Sequence, residues 1–206
     1  MNNKTTAGNS RPETPKFFTS KNVVTLALLT ALLVVLNLLG TVFKVVTNVN
    51  LTLIPIVLGA LLMGFRGGLI LGLISGLMTF IFGVTGVDPF TNILFTNNPV
   101  LTFLTCTVKI TLAGALGGLV YGWLKSKNKY VAVFVASAIV PIVNTAVFIL
   151  GALAMYNTIA SNFSEDVLYF LVITCAGINF LIELGINLLV APAIHAVIKA
   201  VDKTGV

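Results

Sequence analysis

The chain is short, apolar and sparsely charged. It has 206 residues, of which 57% are hydrophobic and 9% are charged, and its mean hydropathy is +1.06. A soluble domain carries roughly 25% charged residues, so the composition excludes a water-soluble globule. The net charge of +6 arises mainly from Lys and Arg at the chain ends or in short gaps between apolar runs. That distribution is typical of charge that orients a membrane protein, and it does not indicate a nucleic-acid-binding surface.

The apolar runs predict an all-α integral membrane protein, a bundle of six transmembrane helices. A helix needs about 20 apolar residues to cross ~30 Å of hydrocarbon. In chain order, the predicted spans are residues 22–40, 51–65, 67–83, 99–124, 130–156 and 167–198. The second and third spans are short and are separated only by a Gly-rich turn. They are interpreted as two compact helices, with a single re-entrant unit as the alternative.

The basic residues predict the orientation of this bundle. With six crossings, ten of the twelve Lys and Arg lie on one side, and Lys44 alone lies on the other. Because cytoplasmic loops retain Lys and Arg, both termini should be cytoplasmic. The outward loops are then 41–50, 84–98 and 157–166.

The predicted organisation is one membrane domain with short tails. Residues 1–21 form a flexible cytoplasmic N-terminus, residues 22–200 the six-helix domain, and residues 201–206 a C-terminal tail. No small-residue cleavage site follows the first apolar run, so we expect the N-terminus to be retained. Cys106 and Cys175 lie inside apolar runs and are expected to act as small hydrophobic side chains.

Polar side chains recur at overlapping depths in the last three predicted helices. At ~1.5 Å per residue, Lys109 lies about 15 Å from the outer start of its helix, and Glu183 about 24 Å into the last one. Asn144 and Asn179 each lie about 18 Å deep on the same scale. Thr105 precedes Lys109 by one helical turn and shares its face. Charged groups at such depth cost at least ~2.5 kcal/mol on insertion scales, so they are usually paired or functional.

Two interpretations follow from these polar positions. Lys109 and Glu183 form a buried ion pair while the Asn side chains join neighbouring helices, or the groups line a solute cavity that opens outward. The second is preferred, because the outer loops supply further donors and acceptors. The predicted substrate-binding residues are Lys109, Asn144, Asn179, Glu183, Asn48, Asn92, Asn97 and Thr105.

The sequence contains no G-x-x-x-x-G-K-[ST] phosphate loop, H-E-x-x-H zinc site or G-x-S-x-G nucleophile elbow. We therefore expect no enzyme activity, catalytic residue, metal or cofactor. A transport protein without its own energy source depends either on an ion gradient or on separate ATPase subunits.

Four segments together carry a resemblance to a known family. They are Ala-Leu-Leu-Thr-Ala at 27–31, Leu-Met-Gly-Phe-Arg-Gly-Gly at 62–68, Lys-Asn-Lys-Tyr at 127–130 and Pro-Ile-Val-Asn-Thr at 141–145. With six predicted spans, the pattern over residues 20–200 resembles the substrate-binding S component of energy-coupling factor (ECF) vitamin transporters. It looks most like the pantothenate-type branch.

The resemblance implies a role, partners and contacts. S components bind a vitamin from outside and dock through a small-residue face of helix 1 onto a transmembrane T component that carries two ATP-binding-cassette ATPases. Ala27 and Ala31 are then docking residues, and loops 41–50 and 84–98 cap the ligand. Pantothenate would place its carboxylate on Lys109 and its hydroxyls and amide on Asn144 and Asn179, while Glu183 orients Lys109 or binds a ligand hydroxyl.

Three alternatives remain at the level of sequence. The chain is an S component for another vitamin such as riboflavin or folate, a stand-alone transporter in which Glu183 carries a proton, or an integral membrane enzyme. The last has little support, because only Lys109 and Glu183 approach an acid–base cluster.

Overall fold

The computed structural model describes residues 17–43, 50–163 and 166–204, and all regular structure in these ranges is helical. The helices are α1 (Ser20–Phe43), α2 (Leu53–Val84), α3 (Pro89–Asn97), α4 (Pro99–Leu124), α5 (Lys129–Leu153), α6 (Tyr156–Asn162), α7 (Val167–Tyr169) and α8 (Ile178–Thr204). A π-helical segment, Phe170–Gly177, joins α7 to α8 without a break. The all-α prediction is confirmed.

Five helices in the described ranges are long and apolar enough to cross a membrane. They are Ser20–Gly40, Leu53–Val84, Pro99–Leu124, Lys129–Leu153 and Val167–Val201. The predicted first, fourth, fifth and sixth spans each correspond to one of them. The predicted second and third spans, 51–65 and 67–83, both fall inside Leu53–Val84, so six spanning helices are not confirmed.

The two predicted spans fall inside one helix, α2, because the chain reverses direction at Gly64 within it. Gly64 has φ 68° and ψ −157°, a combination that is essentially restricted to glycine. The Oγ atoms of Thr52 and Ser75 are 3.1 Å apart, whereas 23 residues of continuous helix would separate them by about 35 Å. Residues before and after Gly64 therefore run antiparallel as a hairpin.

The two arms of this hairpin differ in length. The arm before Gly64 has 11 residues from Leu53, about 16 Å of helix, and the arm after it extends for about 30 Å to Val84. The short arm alone is about half the hydrocarbon thickness. Its N-terminus therefore starts partway through the bundle, level with Ser75.

The long arm of α2 packs against α4 through small residues. A Cβ added to Gly68 would collide with the carbonyl group of Gly114, and one added to Gly118 would lie 2.6 Å from the backbone of Gly64. Such contacts let two helix backbones approach closely. Gly122, by contrast, has no neighbour within 4 Å of an added Cβ, so it lies beyond this interface.

Helix α1 packs on the side of the bundle against α2. Its buried face carries Leu29, Leu33 and Asn37, each one helical turn after the last. Its opposite face is exposed, with Leu28 67% exposed. Ala27 and Ala31 belong to the exposed residues of α1.

One end of the bundle, which we call the α3 end, is covered by α3, α6 and the start of α7. This is the end predicted to face outward. The predicted loop 84–98 is largely α3, and most of 157–163 lies in α6. The Asn98 side chain donates to Thr158 Oγ1 at 2.7 Å and so connects the two covering segments.

Several sequence predictions fall on residues that the structure does not describe. Residues 1–16, 44–49, 164–165 and 205–206 lie outside the described ranges, and these include Lys44, Asn48 and Glu165. The side-chain surroundings of Cys175 are likewise outside the description. Cys106 is buried and forms no disulfide within the described ranges. The cytoplasmic placement of the termini remains a prediction.

Candidate ligand-binding site

A cavity lies inside the bundle between α1, α2, α3, α4, α5 and the last span. Its empty volume is about 980 Å³ when the space open to solvent is included. It extends from Phe90 and Thr91 of α3 to Lys109 of α4 and Glu183 of α8. The cavity therefore reaches the α3 end of the bundle.

Lys109 supplies a cation to the cavity wall. Its Nζ lies 4.9 Å from the centroid of the Phe148 ring, which belongs to α5. A cation above an aromatic face is stabilised by the ring quadrupole, so Phe148 holds the ammonium group without neutralising it. Lys109 is thus available to an anionic ligand.

Glu183 forms a hydrogen bond with the beginning of α2. Its Oε1 accepts from the backbone N–H of Asn50 at 2.8 Å, and the residue is only 6% exposed. Within the described residues, no nitrogen–oxygen contact of ion-pair length joins Glu183 to Lys109, although Lys109 is near enough to act electrostatically on the carboxylate. The positive end of the short-arm helix dipole also favours a carboxylate at this place.

The contact between Glu183 and Asn50 continues as a chain of hydrogen bonds. Asn50 Oδ1 accepts from both the backbone N–H and the hydroxyl of Thr52, and the Thr52 hydroxyl contacts Ser75 Oγ. These bonds attach the last residues of the α1–α2 connection to α8 on one side and to the long arm of α2 on the other. The resulting network, Glu183–Asn50–Thr52–Ser75, is called the floor network.

Two amide side chains in the cavity wall have an atom without a hydrogen-bond partner. Asn37 Nδ2 and Asn144 Oδ1 are buried in the protein and make no hydrogen bond among the described residues. Asn37 is 8% exposed and Asn144 6% exposed. Buried polar atoms are nearly always bonded in native proteins, so these two atoms are candidates for a hydrogen bond to a ligand or to water.

Aromatic rings form the apolar side of the cavity near its mouth. Phe90 of α3 and Phe148 of α5 line it, with ring centroids 6.1 Å apart. Behind them, Phe163 stacks on Phe170 of the π-helical segment at 5.4 Å, and Phe90 contacts both. A ligand in the cavity therefore meets aromatic surface as well as polar groups.

The structure brings four of the predicted site residues together. Lys109, Asn144, Asn179 and Glu183 all line the cavity. Asn187 lies one helical turn after Glu183 but does not line the cavity. Its Nδ2 donates to the carbonyl of Glu183 at 2.8 Å.

Three other predicted residues are placed elsewhere. Thr105 packs against Gly151, because its position on α4 faces α5. Asn92 Nδ2 donates to the Gly83 carbonyl, and Asn97 Nδ2 to the carbonyl of Ile93, both at 2.8 Å. These two amides close the ends of helices and do not line the cavity. Asn48 lies outside the described residues.

Several lining residues were not among the predicted site residues. They are Leu36, Asn37, Gly40, Asn50, Leu51, Thr52, Thr79, Asp88, Phe90, Thr91, Thr145, Phe148, Ala176 and Phe180. Asn37 could have been recognised from the sequence as a candidate lining residue, since it interrupts the apolar i, i+4 stripe of Leu29 and Leu33. Thr52 could not, because only the reversal at Gly64 moves it into the interior.

The cavity groups are suited to binding. Among the described residues they comprise one cation, Lys109, two carboxylates, Asp88 and Glu183, several amides and hydroxyls, and an aromatic wall. Among the described residues, no group of three or more His, Cys, Asp or Glu side chains is arranged to hold a metal ion.

Fold and cavity together define a helical membrane protein with a small-molecule binding site reached from one end of the bundle. The chain belongs to the family of ECF transporter substrate-specific components, whose family model matches residues 21–195. No curated protein and no solved structure matched the chain in the corresponding comparisons. The family comprises substrate-binding components of transporters and is not a class of enzymes.

Proposed function

We propose that this protein captures a vitamin from outside a bacterial cell and delivers it through an ECF transporter. In this role it is the high-affinity S component, and a T component with two ATP-binding-cassette ATPases supplies the energy. The observation that supports this best is a cavity lined by buried polar groups in a chain whose family is that of the substrate-specific components. An outward-facing α3 end gives the vitamin its entry.

Pantothenate is the vitamin we propose. Its carboxylate is a charge-assisted partner for Lys109, the cation held above Phe148. Its amide and hydroxyls suit Asn144 and Asn179, which line the same cavity. The negative charge of Glu183 opposes an anion, and the hydrogen bond from the Asn50 N–H offsets part of that repulsion. Riboflavin or folate as substrate is the alternative within the same role.

The exposed face of α1 is proposed as the surface that docks on the T component. Ala27 and Ala31 lie one turn apart on that face and are exposed. Small side chains at this spacing allow another helix to approach closely. Because α1 packs mainly on α2, its outer face is open to a partner helix.

A proton-coupled carrier is the second candidate, since Glu183 is a buried carboxylate in a membrane span. Reconstitution separates the two functions. Vesicles that contain this protein alone should bind labelled pantothenate without concentrating it, and ATP-driven accumulation should appear only with the T component and its ATPases. Accumulation driven by a pH gradient in vesicles with this protein alone would refute the S-component role.

The substrate itself is tested by mass spectrometry of small molecules that co-purify with the protein. Recovery of pantothenate supports the assignment. Recovery of another vitamin overturns pantothenate and leaves the S-component role standing.

A further inference from the structure

The cavity contains one buried donor and one buried acceptor that the protein leaves unused. The donor is Nδ2 of Asn37 on α1, and the acceptor is Oδ1 of Asn144 on α5. Both residues line the cavity and are more than nine-tenths buried. Other described side-chain atoms without partners, such as Asn187 Oδ1, do not belong to residues that line it.

Asn37 lies where the inward face of α1 reaches the cavity. The two preceding turns of that face present Leu29 and Leu33 to the core, and Gly40, the next residue on it, lines the cavity without a side chain. An apolar residue at position 37 would pack equally well on a closed core. A buried amide there costs free energy unless something binds it.

We infer that Asn37 and Asn144 each form a hydrogen bond with a polar group of the ligand, such as an amide or a hydroxyl, and so determine which vitamin is accepted. This inference rests on the proposed function. Asn37 Nδ2 donates to the carbonyl or hydroxyl oxygen of the ligand, and Asn144 Oδ1 accepts from its N–H or O–H. Lys109 in the same cavity then selects, among such ligands, those that also carry an anionic group.

These hydrogen bonds discriminate between ligands because a missing hydrogen bond costs binding free energy. A site that desolvates an amide rejects a ligand that lacks the matching group, since the buried donor or acceptor stays unpaired. The expected loss for one missing partner is about 5- to 150-fold in affinity.

The test compares Asn37→Leu with Asn187→Leu. Leu is close to Asn in size, and Asn187 is a buried amide outside the cavity lining. The probes are labelled pantothenate, riboflavin, folate, biotin and thiamine, each titrated onto purified full-length protein in nanodiscs. For a vitamin that the wild-type protein binds, Asn37→Leu should lose about 5- to 150-fold in affinity, and Asn187→Leu should stay within about twofold.

A second variant covers the case in which Asn37→Leu does not fold. Asn37→Cys places a thiol at the same position, and its rate of modification by a methanethiosulfonate reagent is read by mass spectrometry of the α1 peptide. The vitamin bound by the wild-type protein should slow that modification. Cys106 and Cys175, present in the same chain, serve as internal references.

The outcomes distinguish a failure of the roles inferred for Asn37 and Asn144 from a failure of the proposed vitamin-binding function. If the wild-type protein binds none of the five vitamins, the proposed function falls and the inference falls with it. If it binds one, while Asn37→Leu binds equally well or the Asn37→Cys thiol is not protected, the inference alone is overturned.

Discussion

Removing the carboxylate of Glu183 should weaken vitamin binding by releasing the α1–α2 connection from the cavity floor. Oε1 accepts from the Asn50 N–H at 2.8 Å, and Glu183 is 6% exposed. Hydrogen bonds to charged groups contribute about 1.5–3 kcal/mol. In Glu183→Ala the N–H loses this partner, and we expect pantothenate affinity to fall about 10- to 150-fold.

The substitution Glu183→Gln isolates the hydrogen bond from the charge. The Gln carbonyl still accepts from Asn50, through a neutral bond roughly half as strong as the charge-assisted one. We therefore expect Glu183→Gln to lose less than about tenfold. The assay is titration with labelled pantothenate in nanodiscs, together with hydrogen exchange of the backbone amides at 50–52, which should accelerate in Glu183→Ala and much less in Glu183→Gln.

Asp166→Ala is the matched control. The Asp166 carboxylate accepts from a backbone N–H, that of Tyr169, at 3.1 Å, but it is exposed and does not line the cavity. Its loss should leave pantothenate binding unchanged. If Glu183→Gln binds as poorly as Glu183→Ala, the charge matters and not the hydrogen bond, and our account of the floor network is wrong. Unchanged exchange at 50–52 in Glu183→Ala would have the same consequence.

Three further changes test other parts of the structure. Lys109→Met should lower pantothenate affinity about 10- to 150-fold and remove the preference for pantothenate over its uncharged alcohol analogue, measured by competition binding. The double variant Ala27→Leu/Ala31→Leu should keep vitamin binding and lose ATP-driven uptake in vesicles that contain the T component and ATPases. Gly64→Ala should destabilise the protein by about 1–3 kcal/mol because it forces a Cβ into a glycine conformation, and this would lower the melting temperature, whereas Gly122→Ala should stabilise helix α4 by up to about 1 kcal/mol.

Each of these has a control or a contradicting result. Lys125→Met removes a cation near the ring of Tyr121, outside the cavity, and should leave the analogue preference intact. Leu189→Trp alters an exposed residue of α8 and should not affect uptake. Full uptake by the Ala27→Leu/Ala31→Leu variant would exclude α1 as the docking surface. An unchanged melting temperature for Gly64→Ala would contradict the reversal at that residue.

Some parts of this protein could be predicted from the sequence because they depend on local composition. The lengths of the apolar runs predicted the helices. The free-energy cost of burying a charge indicated Lys109 and Glu183 as site residues, and both line the cavity. Position along a helix gave overlapping depths for Asn144 and Asn179. These inferences needed only the rise per residue of an α-helix and the thickness of the membrane hydrocarbon.

Other parts depend on which helix faces which. Thr105 shares a helix face with Lys109 in sequence, yet it packs on Gly151 because α5 lies against that part of α4. Asn92 is polar and lies in the predicted outer loop 84–98, but its amide donates a hydrogen bond to the Gly83 carbonyl. The sequence indicated a Gly turn at Gly64, but it did not show that one arm is only half as long as a span.

The unequal arms of α2 have a consequence for how binding sites of this kind diversify. Asn50, Leu51 and Thr52 line the pocket just before the short arm begins, so the height of this part of the pocket wall is determined by the number of residues between Asn50 and Gly64. One additional turn in that arm would raise it by about 5.4 Å while leaving the walls from α4, α5 and α8 unchanged. A larger or smaller vitamin can thus be accommodated by a change in length at a single place in the chain.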